Sequence, residues 1–436
     1  MATQDTAVHG RDTRHDERRV AKNIVRGSVG NLIEWYDWYA YTAFSVYFAA
    51  AFFPAGDQTA QLLNTAAVFA VGFLMRPIGG WVLGRYADRR GRRSALTLSV
   101  TLMAAGSLIV ALTPSYDTIG VVAPVMLVTA RLLQGISVGG EYSTSATYMS
   151  EMATPGKRGY YSSFQYVTLI AGQLTALGLQ IVLQSVLSDG QMEAWGWRVA
   201  FVVGAAGAVV VLWLRRGMDE SESYEQSASS GESRGSLRTL LSYPRQCLVV
   251  VGLTMGGTLF FYTYTTYLQK FMVNTSGIAK PTAAWINFCA LLVFVVLQPV
   301  MGRLSDKVGR RPLLIGFGVL GALVVVPSLT LLSHTDNPYH AFVLMVVPLA
   351  ISSLYTSISA VVKAELFPTA IRALGVGLPY ALTVALFGGT AEYIALWFKD
   401  IGHETWYFYY VTACVLVSLL VYIRMRETSD GSPLDD

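Results

Sequence analysis

Two arginine side chains stand in stretches of sequence that are otherwise apolar. Arg76 and Arg131 each lie roughly eight to eleven residues from the nearer end of an apolar segment, 60–84 and 121–149 respectively. At a helical rise of about 1.5 Å per residue, this depth keeps a guanidinium from reaching bulk water easily. A guanidinium carries a rigid fork of donors that matches a carboxylate. The pair therefore indicates a binding site for a small anion with two carboxylates.

Acidic side chains in the same kind of segment indicate proton chemistry. Glu34 and Asp37 lie in the first apolar segment, and Glu141 lies in the fourth. An ionisable group at the centre of a membrane span costs about 2.5–3.5 kcal/mol, so it marks a functional site. We expect at least one of the three carboxylates to carry a proton, and the sequence does not choose among them. The alternative is fixed ion pairs, Arg131 with Glu141 or Asp37 and Arg76 with Glu34.

Uncharged polar side chains add donors to the same expected site. Gln134 lies seven residues before Glu141 and shares its helical face. Tyr41, Tyr262 and Tyr380 lie in three other segments and carry hydroxyls that can donate to a carboxylate. We expect these four residues to help bind the anion. Glu392 lies nearer the end of its segment, so we rank it below these three carboxylates as a proton carrier.

The elements that hold these residues follow from the composition. Of the 436 residues, 53% are hydrophobic and 14% are charged, whereas about a quarter are charged in a soluble protein. Recurrent apolar runs long enough to cross a bilayer exclude a soluble enzyme, a disordered regulator and a disulfide scaffold. Such spans must be helices, since lipid offers the backbone no hydrogen-bond partner. Twelve are predicted, at 28–52, 60–84, 94–112, 121–149, 160–187, 197–215, 246–270, 282–302, 312–332, 340–363, 371–397 and 405–424.

The basic residues predict the orientation of these spans. Of the 32 Lys and Arg, 26 fall in the tails and the even-numbered loops, and only Lys270, Lys280 and Lys399 fall in the odd-numbered loops. Basic loops remain in the cytoplasm, so both termini are expected there. A polar linker rich in Ser, Glu and Gly divides the chain. The predicted parts are a tail 1–27, a six-helix half 28–216, the linker 217–245, a second six-helix half 246–424 and a tail 425–436.

Two pairs of segments indicate an internal repeat. A loop with glycines, an acid and a basic cluster occurs at 84–93 and again at 302–311, an offset of 218 residues. An acid seven residues before an arginine occurs twice at an offset of 214 residues, in Glu151 with Arg158 and in Glu365 with Arg372. Two motifs repeated at nearly the same offset indicate a duplicated six-helix unit with a site between the halves.

Several segments of the chain resemble the metabolite:proton symporters of the major facilitator superfamily, a bacterial inner-membrane group. They are 30–37, 72–80, 131–135 with 139–141, and 365–368 with 372–375. The likeness runs from about residue 20 to residue 426. It implies an all-α membrane protein with twelve transmembrane helices in two pseudo-symmetric six-helix halves, which works by alternating access in the inner membrane.

In that superfamily the repeated loop helps to latch the cytoplasmic side, so the resemblance implies a gate. Asp88 would accept charge-assisted hydrogen bonds from neighbouring arginines and from a helix N-terminus. The alternative is that the arginines only enforce topology. The residues that the resemblance assigns to the gate are Gly84, Asp88, Arg89, Arg92, Asp306, Arg310, Glu151, Arg158, Glu365 and Arg372.

Further segments resemble the 2-oxoglutarate carriers of the same family. They are 143–151, 164–170, 262–267, 355–359 and 388–393. This resemblance implies proton-coupled uptake of 2-oxoglutarate or a similar dicarboxylate. Carriers of citrate or shikimate share much of the framework, and a nutrient sensor on a transporter scaffold is a further alternative.

The remaining classes of protein lack support in the sequence. All five histidines lie in tails or loops, so no span holds a histidine-based metal set or a serine–histidine pair. We therefore expect no enzyme, no metal and no cofactor. The net charge of +4 sits in loops that face a membrane surface, which argues against nucleic acid. We expect a monomer whose partners are a small organic anion, protons and membrane lipid.

Overall fold

The structure is a computed structural model that describes residues 32–54, 57–90, 92–139, 156–215, 237–368 and 371–429. Across these ranges the chain is helical, joined by short turns, and contains no strand. The twelve long helices are α1 (32–52), α2 (Gln58–Arg90), α3 (Arg92–Leu112), α4 (Val122–Val138), α5 (Arg158–Val186), α6 (Trp197–Arg215), α7 (Pro244–Asn274), α8 (Lys280–Val308), α9 (Arg310–Ser333), α10 (Pro338–Ala364), α11 (Leu374–Asp400) and α12 (Glu404–Arg424).

The helices follow the order of the twelve predicted spans. Nine helices of the described ranges are long and apolar enough to cross a membrane, and Thr97–Leu112 and Val122–Val138 are shorter apolar helices. The second helix continues to Arg90, six residues beyond its predicted end, because the basic loop begins as helix. The last part of the predicted fourth span, from residue 140 to 149, lies outside the described residues.

Two helices of the second half contain π-helical segments that the sequence did not predict. In α7 the segment is Thr263–Tyr267, and in α11 it is Val384–Gly388. A π segment widens one turn of a helix and often occurs at a functional site. Both segments lie next to residues described below as part of a buried ion pair.

Helices α2 and α4 cross at glycines. A Cβ atom on Gly135 would lie 2.2 Å from the carbonyl oxygen of Gly72, and one on Gly139 would lie 2.1 Å from the carbonyl oxygen of Arg76. No side chain fits at such distances, so glycine lets the two backbones approach closely. The crossing thereby holds Arg76 and Arg131 on two tightly packed helices.

The two six-helix halves, α1–α6 and α7–α12, meet along two seams. One seam packs α5 against α8, and the other packs α2 against α11. Both seams are tight: a Cβ atom on Gly159 would lie 2.6 Å from the carbonyl oxygen of Gly302, and one on Gly389 would lie 2.3 Å from Cβ of Phe73. Residues of α2 and α11 therefore face each other across the middle of the protein.

The glycine crossing generates a stability prediction. Gly135→Val forces α2 and α4 apart, and overpacking of this kind costs about 1–3 kcal/mol. We expect the melting temperature of the detergent-solubilised protein to fall by about 1–3 °C. Gly190→Ala is the control, because a Cβ atom at Gly190 meets nothing within 4 Å. Equal melting temperatures for the two variants would contradict the crossing.

Candidate functional site

The two arginines predicted to bind an anion converge on one indole ring. The guanidinium carbon of Arg76 lies 4.4 Å from the ring centroid of Trp38, and that of Arg131 lies 4.1 Å from the same centroid. Arg76 is 5% exposed and Arg131 is fully buried. Because α1 supplies Trp38 between α2 and α4, three helices bring two like charges to one place.

Other aromatic rings complete the enclosure around both guanidinium groups. Arg76 also lies over Phe73, at 4.0 Å, and Trp35, at 5.2 Å. Arg131 lies over Tyr41, at 4.3 Å, and Phe69, at 5.3 Å. We call these four rings, together with Trp38 and the two arginines, the guanidinium cage. A cation–π contact contributes about 0.5–2 kcal/mol, which is less than the several kcal/mol that burial of each ion costs.

The guanidinium groups keep most of their hydrogen-bonding capacity unused. Arg131 Nη1 donates to Oε1 of Gln134 at 2.8 Å. Nε and Nη2 of Arg131, and likewise Nε and Nη2 of Arg76, have no hydrogen-bond partner within the described part of the chain. Buried donors of this kind are rare in folded proteins. The cage therefore offers four donor nitrogens to a ligand.

The fixed ion pairs considered as an alternative do not form between described residues. No carboxylate of the described ranges forms an ion pair with Arg76 or Arg131. Arg131 is joined to Asp37 through Gln134 and not by an ion pair within 4 Å. Glu141 lies outside the described residues. The positive charge of the cage therefore has no direct counter-ion among the side chains that the structure describes.

Asp37 is joined to the cage through Gln134. The side-chain amide of Gln134 donates to Oδ2 of Asp37 at 2.6 Å, while its carbonyl oxygen accepts from Arg131. Ser107 donates to Oδ1 of Asp37 at 2.5 Å. Asp37 is fully buried. One amide thus connects an arginine of the predicted anion site to one of the three predicted proton carriers.

Glu34 lies in a different environment from Asp37. Its Oε1 accepts a hydrogen bond from Ser137 at 3.2 Å, and Ser137 is bonded in turn to Ser99. The carboxylate is 7% exposed and takes no part in the guanidinium cage. Asp37, by contrast, is a predicted proton carrier that one side chain, Gln134, links by hydrogen bonds to an arginine.

The three predicted tyrosines occupy different positions. Tyr41 presents its ring to Arg131, while its hydroxyl donates to the carbonyl oxygen of Thr65 at 2.9 Å. Tyr262 packs edge-on against Phe73 at 5.2 Å, and its hydroxyl lies near the Arg76 guanidinium. The ring of Tyr380 lies 4.1 Å from Nζ of Lys363.

The predicted gate is centred on Asp306 at the α5–α8 seam. Oδ1 and Oδ2 of Asp306 accept hydrogen bonds from the backbone N–H groups of Gly159 and Tyr160, at 2.8 and 2.9 Å. These are unpaired donors at the N-terminus of α5, where the helix dipole favours an anion. Arg310 donates to Oδ1 of the same carboxylate at 3.1 Å. One acid of the second half therefore binds a helix end of the first half.

Glu365 extends this network to the end of α10. Its Oε1 lies 3.5 Å from Nη2 of Arg310, and its Oε2 accepts from Thr428 at 2.5 Å. Burial raises the pKa of Glu365, although the nearby Arg310 and Arg158 act in the opposite direction. Arg158 is buried at the start of α5, close to this carboxylate. Arg372 donates instead to the carbonyl oxygen of Phe367, at 3.2 Å.

The first copy of the repeated loop is described only in part. The backbones of Gly84, Asp88 and Arg89 belong to α2, and Arg92 begins α3. Their side chains lie outside the described residues, as does all of Glu151. The predicted roles of these five residues in the gate remain predictions.

Comparison with known proteins identifies the family of this chain. The sugar (and other) transporter model matches residues 24–238 and 217–434. The chain belongs to this transporter family. The predicted resemblance to the major facilitator superfamily is thereby confirmed, as is the prediction that the chain is not an enzyme, since the family consists of membrane transporters.

Individual relatives of this transporter agree with the family match. The alpha-ketoglutarate permease of Escherichia coli (strain K12) is 51% identical over 434 residues, with 100% of both chains covered. The citrate-proton symporter of Klebsiella pneumoniae is 33% identical over 378 residues, which is 85% of this chain and 84% of that protein. The crystal structure of a D-xylose-proton symporter superposes with a TM-score of 0.72 at 19% identity, covering 95% of this chain and 99% of that chain, which shows the fold.

Two lysines of the transporter were misplaced by the sequence prediction. Lys270, predicted to lie in a loop, is buried within α7 and forms an ion pair with Glu392 of α11. Lys363, also counted with the loops, is buried within α10 and donates to Ser359 at 2.7 Å. Both lysines stand at the ends of their predicted spans, where a hydropathy pattern cannot distinguish a buried residue from an exposed one.

A residue of the C-terminal segment also joins the gate of the transporter without a signal in the sequence. The carboxylate of Glu427 accepts from the backbone N–H groups of Arg310 and Arg311, at 2.9 and 3.0 Å. Partial burial raises the pKa of Glu427, but the hydrogen bonds from the start of α9 outweigh it and leave that pKa below its usual value. The segment after the last span thus caps a helix of the gate.

The gate generates a prediction on the closure of the α5–α8 seam. Asp306→Asn removes the charge that binds the N-terminus of α5, and a hydrogen bond to a charged group contributes about 1.5–3 kcal/mol. Val361 lies at the same seam, where its N–H bonds Ser162 and its side chain is buried. We expect a Val361→Cys thiol, in a background with Cys247, Cys289 and Cys414 replaced by alanine, to react about tenfold faster with a maleimide when Asp306 is replaced. The control is Asp336→Asn in an exposed loop, and equal labelling of both would disprove the latch.

Proposed function

We propose that this transporter is a proton-coupled symporter that takes up 2-oxoglutarate or a similar dicarboxylate by alternating access. The observation that carries this proposal is the guanidinium cage, in which Arg76 and Arg131 share one indole ring and each have two donor nitrogens without a hydrogen-bond partner among the described residues. The 51% identity to an alpha-ketoglutarate permease supports the choice of substrate. We further propose the bacterial inner membrane as its location, with both termini in the cytoplasm and the transporter acting as a monomer.

The donor pattern of the cage fits a ligand with two carboxylates. The four partnerless nitrogens, Nε and Nη2 of Arg76 and of Arg131, form two separate forks. A fork binds one carboxylate with two parallel hydrogen bonds. A dianion neutralises both guanidinium charges at once, whereas a neutral sugar or a zwitterion leaves at least one buried charge without compensation. The hydroxyl of Tyr262 lies near Arg76 and supplies a further donor.

The membrane potential gives the reason for proton coupling. Moving one elementary charge against an interior-negative potential of 100 mV requires about 2.3 kcal/mol, and a dianion requires twice as much. Entry of a dicarboxylate therefore needs cations that travel with it. We propose that Asp37 binds one of the accompanying protons.

The link from Arg131 through Gln134 to Asp37 couples the proton to the substrate. While the cage is empty, the nearby positive charge of Arg131 favours the ionised form of Asp37. A substrate carboxylate that binds Arg131 neutralises this charge and releases Asp37 to take up a proton. Release of the substrate reverses both changes. Glu34 and Glu141 remain the other candidates for the proton carrier.

Alternating access follows from the two halves and the gate between them. We propose that 28–216 and 246–424 rock against each other, that 217–245 links them, and that the tails 1–27 and 425–436 flank them. Asp306, Arg310 and Glu365 hold the cytoplasmic side closed, together with Arg158 and the repeated basic loop. The arginines of that loop also face anionic membrane lipid.

A tricarboxylate is the second candidate for the substrate. The 33% identity to a citrate-proton symporter favours it. A competition panel separates the two candidates: unlabelled 2-oxoglutarate, succinate, citrate and shikimate compete against radiolabelled 2-oxoglutarate in proteoliposomes. Displacement by dicarboxylates but not by citrate or shikimate supports the proposal, and the absence of any 2-oxoglutarate binding overturns it.

The arginines generate a binding prediction. Arg76→Ala and Arg131→Ala each remove one fork, and we expect each to weaken 2-oxoglutarate binding by about 100-fold, since a lost charge-assisted pair of bonds contributes about 3 kcal/mol. Replacement by lysine keeps the charge but not the fork, so it restores only part of the affinity. The control is Arg424→Ala at the exposed end of α12. Titration of the purified protein measures the affinities, and normal affinity in both alanine variants removes the cage from the site.

The carboxylate generates a prediction on coupling. Asp37→Asn keeps the shape of the side chain but cannot release a proton. We expect external acidification by one pH unit to stimulate uptake about tenfold less than in the parent protein. Exchange of labelled for unlabelled 2-oxoglutarate, which needs no net proton movement, stays within about threefold. Glu34→Gln is the matched comparison, and a larger effect there assigns the proton to Glu34 instead.

A further inference from the structure

A buried ion pair lies in the half of the protein that does not supply the guanidinium cage. Nζ of Lys270 in α7 contacts Oε1 of Glu392 in α11, and the two side chains are 2% and 3% exposed. Glu392 follows the π segment of α11, and Lys270 follows that of α7. Replacing such a pair by apolar side chains is often neutral or stabilising. Its presence in the membrane therefore calls for a function.

Two polar atoms beside this pair have no hydrogen-bond partner among the described residues. One is Oε2 of Glu392 and the other is the hydroxyl of Tyr267. The hydroxyl lies within electrostatic range of Glu392 and also of Glu404. A carboxylate oxygen without a donor is the atom to which a proton adds, and a phenol can both accept and donate one.

The residues around Tyr267 lead to one face of the membrane. Glu404 begins α12, with its side chain 22% exposed, and it accepts a hydrogen bond from Thr275 at 2.7 Å. Tyr267 lies seven residues before the end of α7 at Asn274, which is about 10 Å along the helix. This face is opposite to the gate, because α12 runs from Glu404 to the segment that caps α9. In the proposed orientation it is the external face.

The ion pair also borders the guanidinium cage. Tyr41, whose ring lies against Arg131, is within electrostatic range of Glu392. In the second seam, Gly389 of α11 packs on Phe73, whose ring lies against Arg76. The charged and titratable groups within range of Glu392 are Lys270 and Tyr267 of α7, Tyr407 of α12 and Tyr41 of α1. Glu404 lies beyond Tyr267, with Nζ of Lys399 at 3.9 Å from its carboxylate. Arg76 and Arg131 lie on the other side of Phe73 and Tyr41.

We propose that Glu392 is a second proton-binding residue of the transport cycle, filled from the external face through Glu404 and Tyr267. External water protonates the Glu404 carboxylate. The Tyr267 hydroxyl accepts this proton as it gives its own to Oε2 of Glu392, and a bridging water can span the gap between the groups. Glu392 becomes a neutral acid, Lys270 stays charged, and the site gains one positive charge. After the carrier turns inward, the proton leaves Glu392 for cytoplasmic water.

This inference rests on the proposed function and specifies the number of protons transported with each substrate. Each half then contributes one proton-binding carboxylate near the cage: Asp37 is hydrogen-bonded through Gln134, and Glu392 lies within electrostatic range of Tyr41. Two protons balance the two charges of a dicarboxylate. The cargo as a whole then crosses the membrane without net charge, and the membrane potential does not oppose it.

The test measures how far the substrate accumulates. Proteoliposomes are clamped at zero potential with a gradient of one pH unit, acid outside, and labelled 2-oxoglutarate is followed to its plateau. Two protons per substrate give a plateau of about 100-fold accumulation, and one proton gives about tenfold. We expect about 100-fold for the parent protein and about tenfold for Glu392→Gln. Because that variant leaves Lys270 without its partner, the double variant Lys270→Gln with Glu392→Gln provides the same test without a buried unpaired charge.

A second variant tests the route independently of the ion pair. Tyr267→Phe removes the relay but no charge, so we expect the approach to the plateau to slow by about tenfold while the plateau itself stays the same. Tyr264→Phe is the control, because the Tyr264 hydroxyl is buried in the same π segment but bonded to Ser328. It should change neither quantity.

The outcomes separate this inference from the proposed function. If the parent protein does not exchange 2-oxoglutarate at all, the proposed function fails. If it exchanges the substrate but reaches only a tenfold plateau, or if the double variant keeps the 100-fold plateau, the second proton site is disproved. An unchanged rate in Tyr267→Phe disproves the route through the phenol.

Discussion

The central constraint on the structure is that two guanidinium groups of like charge are buried side by side. Arg76 and Arg131 both lie over the indole of Trp38, among further aromatic side chains. Burying each guanidinium costs several kcal/mol, and the aromatic rings and the amide of Gln134 offset only part of this cost. Glycine makes the arrangement possible, since the crossing at Gly135 and Gly139 brings the two arginine-bearing helices together. The resulting deficit of negative charge is what an anionic substrate supplies.

The electrostatics of the gate differ from those of the site, because in the gate carboxylates are paired with helix N-termini and an arginine. Asp306 and Glu427 both bind helix N-termini, of α5 and α9, and Arg310 joins Asp306 to Glu365. Most of these polar atoms bond within the protein, although Nε of Arg310 and Oε1 of Glu365 have no hydrogen-bond partner among the described residues. The bonds across the seam must break when the seam opens. In the proposed mechanism, a ligand supplies the partners that the central arginines lack among the described residues. The bonds at the gate stabilise its closed form without a ligand.

The sequence predicted the arginines because a charge in a long apolar run is conspicuous, and it predicted Gln134 because spacing along a helix fixes its face. It did not predict that both arginines meet at Trp38, since Trp35 and Trp38 look alike in a crowded aromatic segment. Lys270 was misplaced because a π segment carries α7 beyond its apolar run. Glu427 had no signal, because a helix cap supplied by a distant segment leaves no periodic pattern.

The two halves contribute unequally to the charge at the centre, and this asymmetry bears on obligatory coupling. The first half supplies both guanidinium groups and one acid held by Gln134 and Ser107. The second half supplies Lys270 and Glu392, a pair that is neutral by itself. Because this pair is neutral, the second half adds no electrostatic cost when it closes over the cage. The cost of closure then comes from desolvating the two arginines. Substrate removes that penalty at the arginines, and protons balance the charge that the substrate brings. In the empty carrier, the conformational change would bury two guanidinium charges that no anion compensates. The change is therefore more favourable when substrate and protons are bound together.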